Sequence, residues 1–339
     1  MTSLQSLVQT ILPAFIQLDD NESYLVEGLP HATTRLEASV YRMPKKAGMA
    51  LVAALASGRP LLITGEPGVG KTQLAKAAAK LFKRHFMSTV IQPHTQYQDL
   101  LWSVDHTARL ADAQLFSTVS PAFEAGEEEK RDRYITEVHD NLAVSNYVSP
   151  GPLWWALNWT SAESLNGSGA YKPEPVEADQ GLPNNGIVCL IDEIDKGSNH
   201  LTEGLLDIFG SGCFSVPHFA DPISQSTAPL FILSSNKTRS LPKAFMRRCA
   251  VLDLSIPGGT ELQSYLYRLG KDHFGDRICE QAATRAAECI VKDRESQPDD
   301  KLRSGVAEYL DLLRCLSQQD KGKQLALVEE FAEFFYKHE

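Results

Sequence analysis

The chain has 339 residues, 43% of them hydrophobic and 22% charged, and a formal net charge of −10. That length supports one large domain or two with a sizeable core, and the acidic balance argues against nucleic acid or an anionic membrane as partner, a local basic patch excepted. No apolar run approaches membrane-spanning length, and six cysteines without C-x-x-C spacing or a paired-histidine pattern suit a reducing, cytoplasmic compartment.

Residues 1–40 alternate apolar and polar positions at helical spacing and break at Asp19-Asp20-Asn21-Glu22, which predicts a helical extension and a loop. Met1–Gln17 has no basic opening segment, so Leu7–Ile16 reads as a short amphipathic helix rather than an export signal. An alanine- and leucine-rich helix is expected over Lys45–Ala56, ending at Ser57-Gly58. The apolar run Leu61–Ile63 then leads into Gly65-x-x-x-x-Gly70-Lys71-Thr72, and helical spacing follows from Gln73 to about Arg84. Strand, glycine-rich loop and helix, in that order, are what a phosphate-binding loop requires. Gly65, Gly68 and Gly70 let the backbone curl so that successive N–H groups face an anion, and the helix N-terminus adds its partial positive charge. Lys71 is placed to reach the β- and γ-phosphates and Thr72 to offer a hydroxyl to Mg²⁺. The nucleotide-binding set is therefore Gly65, Glu66, Pro67, Gly68, Val69, Gly70, Lys71, Thr72 and Gln73.

Thr89–Ile91 reads as a buried strand, and Gln98–Asp105 precedes a helix-prone piece ending near Leu115. The mixed-charge run Glu124–Arg133 suits a solvated surface helix. Tyr147–Leu157 is an apolar helix opened by Pro150-Gly151-Pro152. All four tryptophans (102, 154, 155 and 159) fall in or around this region. Neighbouring residues on a helix point about 100° apart, so only one of Trp154 and Trp155 is expected to share the core, and Trp155 is the candidate partner-facing anchor. Ser161–Asn185, rich in Gly, Pro, Glu and Asn, is expected to be a long mobile loop.

Ile187–Ile191 is apolar throughout, as in a parallel strand covered on both faces, and ends in Asp192-Glu193. A carboxylate at that edge of the sheet sits where Mg²⁺ meets the phosphates, so Asp192 is assigned to the metal together with Thr72. Glu193 is assigned to orienting and deprotonating a water for in-line attack. A GTPase would need Asn-Lys-x-Asp, but Asn236-Lys237-Thr238-Arg239 ends in a residue that cannot accept the guanine N–H groups. A helix over Asn199–Phe209, a strand or hairpin from Cys213 to Val216, and strands at Ala228–Leu233 and Val251–Leu254 follow. Beyond Pro257-Gly258-Gly259 the pattern is helical to the end. Strands alternating with helices, then helices alone, predict an α/β nucleotide domain with a small α domain.

From about residue 41 to 320 the chain resembles an AAA+ ATPase of the MoxR-like branch, the type with an insert in helix 2. Leu61–Thr72 is similar to its Walker A segment, Leu190–Lys196 to its Walker B segment, Tyr147–Leu153 to its Pro-Gly-Pro insert, and Gly212–Pro217 to the start of its pre-sensor hairpin. Gln98–Gln114 resembles the subset encoded beside von Willebrand factor A partners. The resemblance implies a P-loop NTPase with a parallel sheet and an all-α lid. The chain then divides into an extension (1–40), a nucleotide domain (41–256) and a lid (257–339), and it departs from the family in insertions near 116–146 and 158–185 that are longer than a plain domain of this type needs. The resemblance implies ATP and Mg²⁺ as cofactors, ATP hydrolysis, assembly into a ring (a hexamer by family likeness), and a protein client. By position it makes Asn236 the sensor 1 residue, Arg248 or Arg247 the arginine finger, and Arg303 the sensor 2 residue. The family usually enters that last helix with Pro-Arg or Pro-Ser, whereas this chain reads Leu302-Arg303-Ser304-Gly305. The rival reading is a nucleotide-gated scaffold or signalling switch with negligible turnover. Asp192, Glu193, Asn236 and Arg248 together favour hydrolysis, because a scaffold has no use for a water-polarising set.

Overall fold

In the computed structural model, which describes residues 4–19, 22–29, 39–119, 128–165, 173, 183–297 and 303–336, the apolar runs lie side by side in one parallel sheet. The chain begins with helix α1 (Leu4–Ile16), strands β1 (Ser23–Leu29) and β2 (Ser39–Pro44), helix α2 (Lys45–Ser57), strand β3 (Leu61–Thr64), helix α3 (Lys71–Leu81) and strand β4 (His85–Val90). Next come β5 (Trp102–Val104), α4 (His106–Val119), α5 (Glu128–Asn141), β6 (Val148–Pro150), α6 (Pro152–Leu157) and α7 (Trp159–Ser164). The chain then forms β7 (Ile187–Asp192), α8 (Asn199–Ser211), β8 (Cys213–Phe214), β9 (Ile223–Ser224), β10 (Leu230–Ser235), α9 (Lys243–Arg248) and β11 (Ala250–Asp253). Four helices close it: α10 (Gly259–Phe274), α11 (Glu280–Ser296), α12 (Val306–Ser317) and α13 (Lys321–Ala332). Among the described residues no helix is long and apolar enough to cross a membrane.

The main sheet has the order β11-β3-β10-β7-β4, and every neighbouring pair is parallel. Alternate residues of its strands feed two cores. Leu61, Ile63, Val188, Leu190 and Ile232 face α2 and α3, while Leu62, Cys189, Ile191 and Leu233 face α6 and α8. Helix α3 lies close to the sheet because its buried face is largely alanine, at 75, 77, 78 and 79. Register then sets the site: Thr64 pairs with Ser235 and with Asp253, and Ile191 with Leu233. The loop after β3, the acidic pair after Ile191 and Asn236 after β10 therefore emerge at one edge. The four C-terminal helices enclose a third core around Leu266, Tyr309, Leu312, Leu313 and Val328.

Two expectations need correction, the make-up of the first 40 residues and the exposure of Trp155. The segment expected to be a helical extension and loop also contains β1, which pairs antiparallel with β2, so a boundary at residue 40 cuts through a strand. Helix α1 is part of the core: Phe15 is buried on α2, and a Cβ at Gly48 would lie 2.2 Å from its ring. Both Trp154 and Trp155 are buried, at 0% and 6% exposure, so Trp155 is not a partner-facing anchor. All six residues of α6 are covered, so the 100° between neighbours leaves neither ring outside. Trp154 meets Phe214 and Phe219 edge-on at 5.6 and 5.7 Å, and Trp155 meets Trp159 at 4.9 Å. Helix α5 has no buried residue, as a solvated helix should, though residues 124–127 of its charged run lie outside the described residues. Most of the expected loop between Ser161 and Asn185 also lies outside them.

Candidate nucleotide site

Gly68 and Gly70 have φ of 77° and 94°, a region that L side chains avoid. A Cβ at Gly70 would stand 3.3 Å from the Tyr41 ring, and one at Gly68 3.0 Å from the Ala307 methyl. The curled loop is thus held between β2 and α12. Lys71 opens α3 and is buried, and its Nζ donates to the carbonyls of Gly65 and Glu66, each at 2.8 Å, and to Asn236 Oδ1 at 2.7 Å. Burial lowers its pKa from the ordinary lysine value, against the pull of Asp192, Asp195, Glu193 and Glu66. Gly65 and Glu66 are not among the residues lining the cavity and contribute these two carbonyls.

At the end of β7, Thr72 Oγ1 donates to Asp192 Oδ2 at 3.3 Å. The Ser234 hydroxyl donates to the other Asp192 oxygen and accepts from the Glu193 N–H at 3.0 Å. Glu193 has φ 58°, a left-handed conformation that costs a non-glycine residue on the order of 1 kcal/mol and is typical of sites where the neighbours dictate the backbone. Its carboxylate lies 2.7 Å from Lys196 Nζ and 3.5 Å from Asn236 Nδ2. Asp195 fixes the turn that carries Asn236. Burial opposes its charge, but donation from the Thr238 hydroxyl at 2.5 Å, the Thr238 N–H at 2.9 Å and the Asn236 N–H at 3.3 Å outweighs it and keeps its pKa below the ordinary carboxylate value.

These groups form one end of a cavity of about 490 Å³, lined there by Pro67 through Gln73, Asp192, Glu193 and Asn236. Its other walls come from Val40–Arg42 of β2, from Tyr265, Leu269, His273 and Phe274 of α10, and from Val306, Ala307, Leu310, Asp311 and Arg314 of α12. A mostly apolar wall with a few polar groups suits a flat base and a sugar. Burial raises the pKa of Tyr41 and Tyr265, so both remain neutral hydroxyls. Arg42 forks onto Asp272 of α10, its Nη2 at 2.7 Å, and so ties β2 to the helical end.

The arginines expected from the sequence are distributed differently. Arg303 does not line the cavity, and its guanidinium donates to the Gln297 carbonyl at 2.8 Å. Arg314 and Arg294 are the arginines that the helical end brings to the cavity wall and to the loop, the latter through Glu66 at 2.7 Å. Arg247 and Arg248 are exposed on α9, beside a separate concavity shared with Arg59 and Asp207.

The AAA domain (dynein-related subfamily) matches residues 60–249, more than half of the chain. The chain belongs to that family. The matched span covers β3, the glycine loop, the Asp192-Glu193 pair and Asn236, all of the cavity's phosphate end. Among solved structures, the RuvB Holliday junction branch migration motor of Thermotoga maritima is similar at 15% identity and a TM-score of 0.43, over 86% of this chain and 67% of that one. A mutant of the same motor gives 16% identity and a TM-score of 0.44, over 86% and 68%. No curated protein sequence matches the chain. AAA+ proteins generally use ATP and Mg²⁺, and the donors present in this AAA domain fit that cation. The Thr72 hydroxyl and the Asp192 carboxylate are two hard oxygen ligands at one cavity edge, few enough for an ion that keeps most of its waters.

Sequence reasoning missed Ser234, Lys196 and Asp195 as supports of this AAA site. The serine pair closing the otherwise apolar strand β10 was a readable signal for Ser234. Arg294 carried none, because it sits in the charged last turn of an ordinary helix.

Proposed function

We propose that the chain is an ATP-hydrolysing, ring-forming AAA+ protein of the MoxR-like branch that couples turnover to remodelling or activating a protein partner. The observation that carries this reading is the convergence of Lys71, Thr72, Asp192, Glu193 and Asn236 on one cavity end, although Lys71 and Asn236 are 165 positions apart in the chain. Lys71 exchanges the loop carbonyls for phosphate oxygens. Thr72 and Asp192 are the residues that would hold Mg²⁺, which when bound neutralises charge on the phosphates. Asn236 orients a water and Glu193 takes its proton. The water oxygen bonds to the γ-phosphorus as the bond to the ADP oxygen breaks, leaving ADP and phosphate.

Assembly follows from the arginines. Arg248, or its neighbour Arg247, is exposed on a face that does not line the cavity, which supports a role at a neighbouring subunit's nucleotide, and a repeated heterologous contact of that kind closes a ring. Two likenesses support the branch: Gly212–Pro217, which opens the β8–β9 hairpin, to its pre-sensor hairpin, and Tyr147–Leu153, which contains β6, to its insert. The likeness over Gln98–Gln114 proposes a von Willebrand factor A type partner. The chain through residue 256, with β1 and β2 included, acts as the nucleotide domain and 257–339 as the lid. The test mixes Lys71→Ala subunits, which keep the finger, with Arg248→Ala subunits, which keep the pocket. Turnover should return in the mixture, and a co-assembled mixture that stays inactive at every ratio would argue against an interfacial site.

A further inference from the structure

Glu66 belongs to the phosphate loop, yet its carboxylate is held by the lid. Both of its oxygens accept from Arg294 Nη2, at 2.9 and 2.7 Å. Arg294 lies on α11 with a side chain only 11% exposed, and its Nη1 donates to the Ser304 carbonyl at 3.3 Å. Ser304 stands two residues before α12, the helix that carries Ala307, Leu310, Asp311 and Arg314 onto the cavity wall and rests its Ala307 methyl against Gly68. The Glu66 carbonyl, meanwhile, holds Lys71. One guanidinium therefore spans the phosphate loop and the entry to the lid wall.

We propose that Arg294 is a positioning residue for the nucleotide site, fixing α12 against the phosphate loop by holding Glu66 with one nitrogen and the Ser304 carbonyl with another. This rests on the nucleotide reading of the cavity. The pair also has an electrostatic purpose. A carboxylate next to a polyphosphate repels it, and a largely buried arginine cancels that charge more fully than solvent does. The two partners are then unequal: losing Arg294 leaves an unpaired anion beside the phosphates, whereas losing the Glu66 charge removes the anion along with the strap.

The experiment is a double-mutant cycle on the full chain, with a fluorescent ATP analogue for affinity and steady-state turnover for KM and kcat. Arg294→Gln should raise Kd and KM about tenfold while kcat falls no more than about threefold, and Glu66→Gln should raise Kd about threefold. The double variant should bind no worse than Glu66→Gln alone, and thermal melts should stay close to wild type for all three. Wild-type affinity in Arg294→Gln, losses that multiply in the double variant, or a fall in kcat alone would each overturn the role. So would loss of binding in Arg303→Gln with none in Arg294→Gln, which would return the lid arginine to position 303. Lys71→Ala separates the two levels. If it binds ATP as wild type does, the nucleotide reading falls and this inference with it; if it loses binding while Arg294→Gln keeps it, only the positioning role is lost.

Discussion

The phosphate end of the cavity is made from strand ends and one loop, the opposite end from helix faces, and the two hold charge in different ways. At the phosphate end the charged groups interlock: Lys71 reaches Asn236, Asn236 reaches Glu193, and the Asp192 carboxylate is shared between Thr72 and Ser234. At the helical end the walls are mostly apolar and charge sits in discrete pairs: Arg42 with Asp272 and Arg294 with Glu66 join separate elements, and Arg314 with Asp311 lies within α12. A network with many mutual partners cannot move one member without unmaking several bonds, so it stays preorganised for charge that develops during reaction. A wall attached by separable pairs can shift as a rigid body when one pair changes. On the proposed reading, chemistry belongs to the first region and nucleotide-driven motion to the second.

The sharpest way to break that contrast is at Glu193. Glu193→Gln should bind ATP but turn it over at least about a hundredfold more slowly, because the amide takes no proton. Comparable turnover in the two proteins would remove Glu193 from the reaction. At the opposite end, Arg42→Ala should loosen the attachment of the helical end without touching the chemistry, raising KM about tenfold with kcat changed far less. A matching collapse of kcat would show that the two ends are not separable.

The smallest effect should come from a residue outside both. His85 begins β4 fully buried, with no hydrogen-bond partner on either ring nitrogen and its ring against Trp159 at 5.2 Å. Burial lowers its pKa from the ordinary 6.5, so the folded chain holds it neutral while the unfolded chain takes up a proton. Unfolded chains then bind more protons, and stability falls as pH drops below about 6.5 toward the folded-state pKa, with no such slope above it. Thermal melts across that window should show a modest fall that is absent in His85→Phe. An equal fall in both proteins would place the acid sensitivity elsewhere.

The phosphate end was legible from the sequence because its parts are local. Gly65–Thr72 must be contiguous to curl around an anion, and Asp192-Glu193 must follow an apolar strand directly to reach the sheet edge. The two tryptophans show the limit of the same reasoning. Helical geometry sets the angle between Trp154 and Trp155 correctly, but how much of a helix is covered depends on what packs around it. Here a hairpin on one side and the sheet on the other bury both.

By itself the sequence determined the alternation of strands and helices, the nucleotide loop, the acidic pair and the helical end, since each is written in residues adjacent along the chain. Tertiary structure alone decided that β1 joins β2 beside the loop, that α12 forms the cavity wall, and that Arg294 rather than Arg303 meets the loop. Those outcomes depend on how separate helices and strands dock and in what register. Docking is set by the combined packing of surfaces far apart in the chain, which no local spacing encodes.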